Sequence, residues 1–198
     1  APEKDGDRLI NLSSKMMKRY DLHLYQAKTI KDLIDKHING IFEIVEKAYA
    51  RLYGTMPLNR EIIDNYVKDF KLIVRPQDIL MIYDKDENMV GFALMFPSIS
   101  EAVRRSKGHI TPAFLARFLR DKRDPKVLDL GLIGMLPEYE SKGIATVMIG
   151  MLVNMLREGT LDHLETNLML ENNYNILNLL KHFDKRQNKR RRCFKKSI

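Results

Sequence analysis

Two runs of almost unbroken apolar residues, Ile79–Tyr83 and Met89–Phe96, stand five residues apart, and no other feature limits the fold as tightly. The link between them, Asp84-Lys-Asp-Glu-Asn, has turn chemistry, so the pair reads as a β-hairpin. A strand that is apolar at every position, rather than at every second one, needs cover on both faces. The hairpin is therefore expected inside a sheet with helices on both sides, a mixed α/β domain. With 198 residues, 44% of them hydrophobic, the chain can bury such a core.

Periodicity supplies the other elements. A short helix is expected around Arg8–Arg19, and the alternation of Leu22–Ala27 suggests a first strand. Apolar residues from Ile38 to Leu52 recur at i, i+3, i+4, which predicts an amphipathic helix over Asp35–Leu52 ended by Gly54. Asn59 is placed to cap a second helix with Ile62, Ile63, Tyr66, Val67 and Phe70 on its apolar face. Ser98–Pro125 shows weak helical periodicity and reads as a long basic insert. Val127–Leu136 is a strand holding Gly131 and Gly134, and glycine inside a strand marks a bulge or a close backbone approach. A helix over Gly143–Leu156, a strand over Leu161–Leu168, a helix over Asn172–Phe183 and a short strand at Arg191–Lys195 complete the order. Met148, Met151 and Met155 fall on one helical stripe and read as core.

Charge is uneven. Lys181–Ile198 holds nine of the 34 basic residues and one of the 26 acids, so the first 180 residues carry 25 of each sign. The basic run suits a terminal edge strand with its charges outward; nucleic acid or another polyanion is the alternative ligand for it. Cys193 is the single cysteine, which rules out an intrachain disulfide and suits a reducing cytoplasm. No apolar stretch approaches the length of a membrane span, and the polar start lacks a secretory h-region. His23, His37, His109, His163 and His182 lack metal-ligand spacing, so no metal is expected. His109 reads as a loop residue.

The segment that carries chemistry is Leu132-Ile-Gly-Met-Leu-Pro-Glu-Tyr-Glu-Ser-Lys-Gly-Ile-Ala-Thr: strand, tight turn, helix start. Small residues at 141, 143 and 145 let backbone N–H groups face the turn, and the helix dipole adds positive potential there. Together they make a site suited to a pyrophosphate.

This segment resembles the signature of the GCN5-related N-acetyltransferase (GNAT) superfamily. In that family a strand ending in Pro-Glu-Tyr leads into Gln/Arg-x-x-Gly-x-Gly/Ala. The six matching positions are Glu140, Ser141, Lys142, Gly143, Ile144 and Ala145. Gly143 and Ala145 match; Glu140 departs from the family's Gln or Arg. The resemblance covers about residues 22–196. Glu165-Thr-Asn and the basic C-terminal end further resemble the C-terminal half of a group of longer bacterial GNAT-like proteins.

The resemblance implies a GNAT-type acyl-CoA N-acyltransferase fold: a mostly antiparallel central sheet, helices on both faces and a splayed cofactor cleft. It implies a domain over 21–198, with 1–20 an extension or linker and 98–125 inserted. Acetyl-CoA or another acyl-CoA would be the co-substrate. Ile133, Gly134 and Met135 would pair with the pantetheine arm. The amides of Ser141, Lys142, Gly143, Ile144, Ala145 and Thr146 would hold the pyrophosphate. Asn172 or Asn173 would lie near the thiol. Asp129 and Glu165 are the candidate bases. The family's acid is a Tyr seven residues after that Asn, where this chain has Leu180. The expected function is acyl transfer to a small-molecule or peptide amine, in a cytoplasmic protein able to form a homodimer. The alternative is a catalytically weak GNAT-fold module that binds CoA or a polyanion through its basic end.

Overall fold

The hairpin predicted from the two apolar runs forms as β2 (Ile79–Tyr83) and β3 (Met89–Pro97), paired antiparallel. Its turn is built by Asp84, whose carboxylate accepts from the backbone N–H groups of Asp86 (3.0 Å) and Asn88 (2.9 Å). A computed structural model describes residues 3–50, 52, 55, 57–158, 161–192 and 194. Among these, five strands form one sheet in the order β1-β2-β3-β4-β5. β1 (His23–Tyr25) pairs antiparallel with β2, β4 (Val127–Met135) pairs antiparallel with β3, and β5 (His163–Thr166) runs parallel to β4. A parallel pair needs a crossover. Helix α7 (Ile144–Arg157) supplies it.

Glycines in the central strands show how the layers are arranged. A Cβ at Gly134 would press on Ile44 of α3 (Ile38–Tyr49), whereas one at Gly91 would press on Ile144 and Met148 of α7. The two helices therefore cover opposite faces, and Phe92, Met81, Val90 and Met95 between them are wholly buried. This is the mixed α/β, mostly antiparallel sheet with helices on both faces that the hairpin requires.

Around this centre the helices are set by local signals. Thr29 accepts from the Asp32 amide and starts α2 (Ile30–Asp32), which continues through a π turn (Leu33–His37) into α3. The helix predicted over Asp35–Leu52 thus starts five residues earlier. Gly54, its expected terminator, lies outside the described residues. Asn59 caps α4 (Arg60–Ile73) as expected, its side chain accepting from the Ile62 amide at 2.9 Å.

One expectation changes and two gain detail. The insert, expected as a loop or helical region, holds α5 (Ser100–Arg105) and α6 (Pro112–Arg123), the latter capped by Thr111 with Pro112 in its first turn. The short helix expected around Arg8–Arg19 is longer and packs on the domain. Helix α1 (Glu3–Arg19) lies along α7, with Ser13 against Gly150 and its hydroxyl donating to the Val147 carbonyl at 3.4 Å. The final strand does not form at residues 191, 192 and 194; Cys193 and Lys195 lie outside the described residues. Helix α8 (Tyr174–Leu179) ends in a 3-10 turn at Leu180–His182. No helix among the described residues is long and apolar enough to cross a membrane.

Candidate active site

β4 carries the geometry that matters. It is paired to β3 along its length, but to β5 only over Val127–Leu130. The Asn167 amide still reaches the Leu130 carbonyl at 3.5 Å. Beyond that point the strands part, and residues 131–135 have an open edge. The pairing register with β3 shifts between Leu94–Leu132 and Met95–Leu130, which leaves Gly131 as the extra residue of a bulge. A Cβ at Gly131 would collide with the Phe96 ring at 2.6 Å, so the bulge is built on glycine.

The open edge is not bare. The Tyr49 hydroxyl, from the end of α3, donates to the Ile133 carbonyl at 2.7 Å and accepts from the Ile133 amide at 3.3 Å. Both Ile133 backbone groups therefore face away from β3, into the split. Alternation along the strand turns those of Met135 the same way and those of Gly134 back toward β3. Burial raises the Tyr49 pKa, and its contact with the Ile133 backbone opposes this only in part.

β4 leads through a 3-10 turn (Pro137–Lys142) to Gly143, in the left-handed conformation (φ 78°), and then α7. No side chain caps α7; the Thr146 and Val147 amides donate to the Gly143 carbonyl at 2.9 and 3.1 Å. Ser141 and Glu140 are exposed and Ala145 is half-buried. Lys142 turns elsewhere: its ammonium sits 4.0 Å over the Tyr139 ring, and the Tyr139 hydroxyl donates to Asp84 at 2.8 Å. Met16 of α1 packs where a Cβ at Gly143 would go.

Asp129 and Glu165 stand side by side across the paired part of β4 and β5. Burial pushes the Asp129 carboxyl up; a Ser98 hydrogen bond opposes this, and the Glu165 charge adds to it. His163 lies 3.6 Å from Glu165. Four residues separate Asp129 from Ile133, about 13 Å of extended strand. A group bound at Ile133 is thus out of direct reach of either carboxylate. Asn173 caps α8, its side chain accepting from the Ile176 amide at 3.5 Å, and Asn172 is exposed in the preceding turn. Leu180 is half-buried in the 3-10 turn that follows α8.

Two cavities flank this strand. One, about 560 Å³, lies beside the β2–β3 turn and is lined by Lys36, Glu43, Asp84, Glu87, Tyr139 and Lys142 among others. The other, about 300 Å³, lies between the α2–α4 layer and the sheet, and reaches β4 at Gly131 and Leu132. Tyr49 and Asn167 line the second cavity, which joins it to the split. No group of His, Cys, Asp and Glu among the described residues is arranged to hold a metal ion.

Sequence reasoning missed Tyr49, which counts there only as one apolar position of a helical stripe. Asn167 enters there only as the last residue of Glu165-Thr-Asn, with no site role. The local pattern does not show where either residue sits, because both positions depend on tertiary contacts. The bulge was legible from Gly131 and Gly134, and the structure puts it at Gly131.

No protein-family profile matches the chain. Protein YghO of Escherichia coli (strain K12) is 25% identical over 162 residues, covering 79% of this chain and 41% of YghO. The chain thus spans less than half the length of that curated relative. Among solved structures, an aminoglycoside acetyltransferase from an uncultured soil metagenomic sample, in complex with sisomicin, superposes with a TM-score of 0.51 at 8% identity, covering 92% of this chain and 99% of that one. An aminoglycoside antibiotic 6'-N-acetyltransferase from Acinetobacter baumannii superposes with a TM-score of 0.50 at 13% identity, covering 89% of this chain and 99% of that one. These likenesses show the fold: it is that of the GNAT acetyltransferases.

Proposed function

We propose that the chain is an acyl-CoA-dependent N-acyltransferase. The observation that carries this reading is the parting of β4 from β5 after Leu130, which leaves the Ile133 backbone facing a split that leads to an uncapped helix start. The residues present fit an acyl-CoA. A strand edge with paired donors and acceptors suits an amide-bearing arm, and the first turn of α7 suits a pyrophosphate. Bound acyl-CoA would supply the activated acyl group as a thioester.

The protein's part is placement and polarisation. The Ile133 N–H, once released by Tyr49, polarises the thioester carbonyl. Ile133 C=O and the Met135 backbone hold the pantetheine arm in register. The amides from Ser141 to Ala145 face the pyrophosphate, without help from the Lys142 ammonium; the Thr146 amide is already held by the Gly143 carbonyl. Tyr49, like any tyrosine, keeps its proton at neutral pH, and burial raises its pKa further. It therefore serves as the acid for the departing thiolate that Leu180 cannot be. Asp129 and Glu165 draw the ammonium proton away through intervening water.

The test is calorimetric titration with CoA and acetyl-CoA of the wild type and of Ser141→Glu, which puts a carboxylate at the proposed phosphate site on an exposed position. Micromolar binding weakened at least tenfold by the substitution supports the reading. A wild type that binds neither compound rejects it.

A further inference from the structure

The 300 Å³ cavity under α2–α4 has a composition that the acetyl group does not explain. Phe42, Val45, Val67, Phe70, Leu94 and Phe96 represent its walls. Among its described lining residues Tyr49, Tyr66, Lys71 and Asn167 carry polar groups, and none is acidic. An ammonium acceptor placed there would meet Lys71 and no carboxylate, at a large desolvation cost. Hydrocarbon meets no such penalty.

The cavity also starts at the right place. Tyr49 lines it, while its hydroxyl lies on the Ile133 backbone where the thioester would be polarised. Leu132 and Gly131, one and two residues away on the same strand, form its floor. A side chain at 131 would push Phe96 aside, so the bulge glycine lets the Phe96 ring lie against β4 at that end of the cavity. The π turn at Leu33–His37 brings Leu33 and Ile34 into the opposite wall. Such turns are often found at functional sites.

We propose that this cavity holds the hydrocarbon chain of the acyl donor, and that the preferred donor is a medium-chain acyl-CoA rather than acetyl-CoA. At roughly 30 Å³ for each water-sized volume, with a methylene of similar size, the space suits a chain of about six to ten carbons. The amine then approaches from the β5 side of the split, where Asp129 and Glu165 stand. This inference rests on the acyltransferase reading.

The experiment is a calorimetric series on the wild type with free CoA, acetyl-CoA, butanoyl-CoA, octanoyl-CoA and hexadecanoyl-CoA. Affinity is expected to rise about two- to fourfold for each added methylene and to level off near eight to ten carbons. Val67→Trp, which fills the cavity from half-buried α4, should flatten the series to the level of free CoA and leave free CoA binding unchanged. Equal affinity for free, acetyl and octanoyl-CoA in the wild type overturns the chain site while leaving the acyltransferase reading intact. No binding of any member overturns both. If Val67→Trp fails to fold, the wild-type series decides alone.

Discussion

The Tyr49 hydroxyl occupies both backbone groups of Ile133, donating to the carbonyl at 2.7 Å and accepting from the amide at 3.3 Å. A ligand that pairs with β4 at this point must displace it, so the free protein holds its own cleft shut at one residue. Tyr49→Phe removes the competitor and also the proposed acid. CoA affinity should hold or rise up to about tenfold, the worth of about one net hydrogen bond. The turnover number should fall about 100-fold, the low end for general acid catalysis. Binding by calorimetry and single-turnover kinetics separate the two effects. A loss of affinity with unchanged turnover would give Tyr49 a binding role instead.

Asp129 yields a prediction with a definite sign. Burial holds its carboxyl above the ordinary range in the folded chain. A group with a raised folded pKa contributes stability that is complete below the unfolded pKa and is lost as pH rises through the folded value. Asp129→Asn should therefore raise Tm near neutral pH and give no gain below the ordinary carboxylate range. Its activity should fall near neutral pH, with the acidic limb of the pH profile shifted. Thermal melts at the two pH values check the first part.

Arg75 and Asp78 anchor the inserted helices to the sheet. The guanidinium makes two 2.6 Å hydrogen bonds to Asp78, which is 2% exposed, and donates to the Lys122 and Arg123 carbonyls at the end of α6. Lys122 in turn donates to the Leu72 carbonyl at 2.6 Å, fastening α6 to α4. Removing one partner of a buried ion pair strands the other. Arg75→Met should cost about 3–5 kcal/mol. Arg75→Met with Asp78→Leu should recover most of it in denaturant unfolding.

The elements that read clearly in the sequence are those with strong local signals. The hairpin declares itself through apolar runs and an Asp-rich turn, and α4 through Asn59. Helix α6 gave only weak helical periodicity, carried by Phe114, Leu115, Phe118 and Leu119 among basic residues, and Leu115 and Leu119 stay exposed in the fold. The signal that was present is Thr111-Pro112, a cap followed by proline at the first helical position. The final strand failed for the converse reason: the local alternation around Phe194 suggests a strand, yet Phe194 is 89% exposed and buries nothing. The strand, tight turn and helix start around Gly143 were legible from Pro137, Gly143 and the apolar stripe of α7. Tyr49 was not, since its role depends on the end of α3 reaching a strand 84 residues later.

Gly143 illustrates why a motif position can be a poor probe of its own function. Its φ of 78° favours glycine, and a Cβ would lie 2.8 Å from the Met16 sulfur. Gly143→Ala should destabilise the fold by about 1–3 kcal/mol through strain and displacement of α1. Met16→Ala in that background should return the part owed to the clash and leave the part owed to strain. Denaturant unfolding of the two variants separates the terms. Weakened CoA binding in a Gly143 variant would therefore not distinguish a lost phosphate contact from a displaced helix.

Glu140 is the cleaner probe of the same turn. Its carboxylate is exposed at the point where the resemblance expects Gln or Arg, and the nearby Lys142 ammonium is held over Tyr139. The turn thus presents a negative charge toward an expected dianionic group. Two like charges a few ångströms apart near a surface repel by about 1 kcal/mol or more, and salt screens this. Glu140→Gln should therefore tighten CoA binding about three- to tenfold at low ionic strength, with the gain shrinking as salt is added. Dephospho-CoA, which keeps the pyrophosphate but lacks the ribose phosphate, should show the same gain. A gain seen with CoA and absent with dephospho-CoA would put the ribose phosphate, not the pyrophosphate, beside Glu140. No gain with either would place the anion away from this turn.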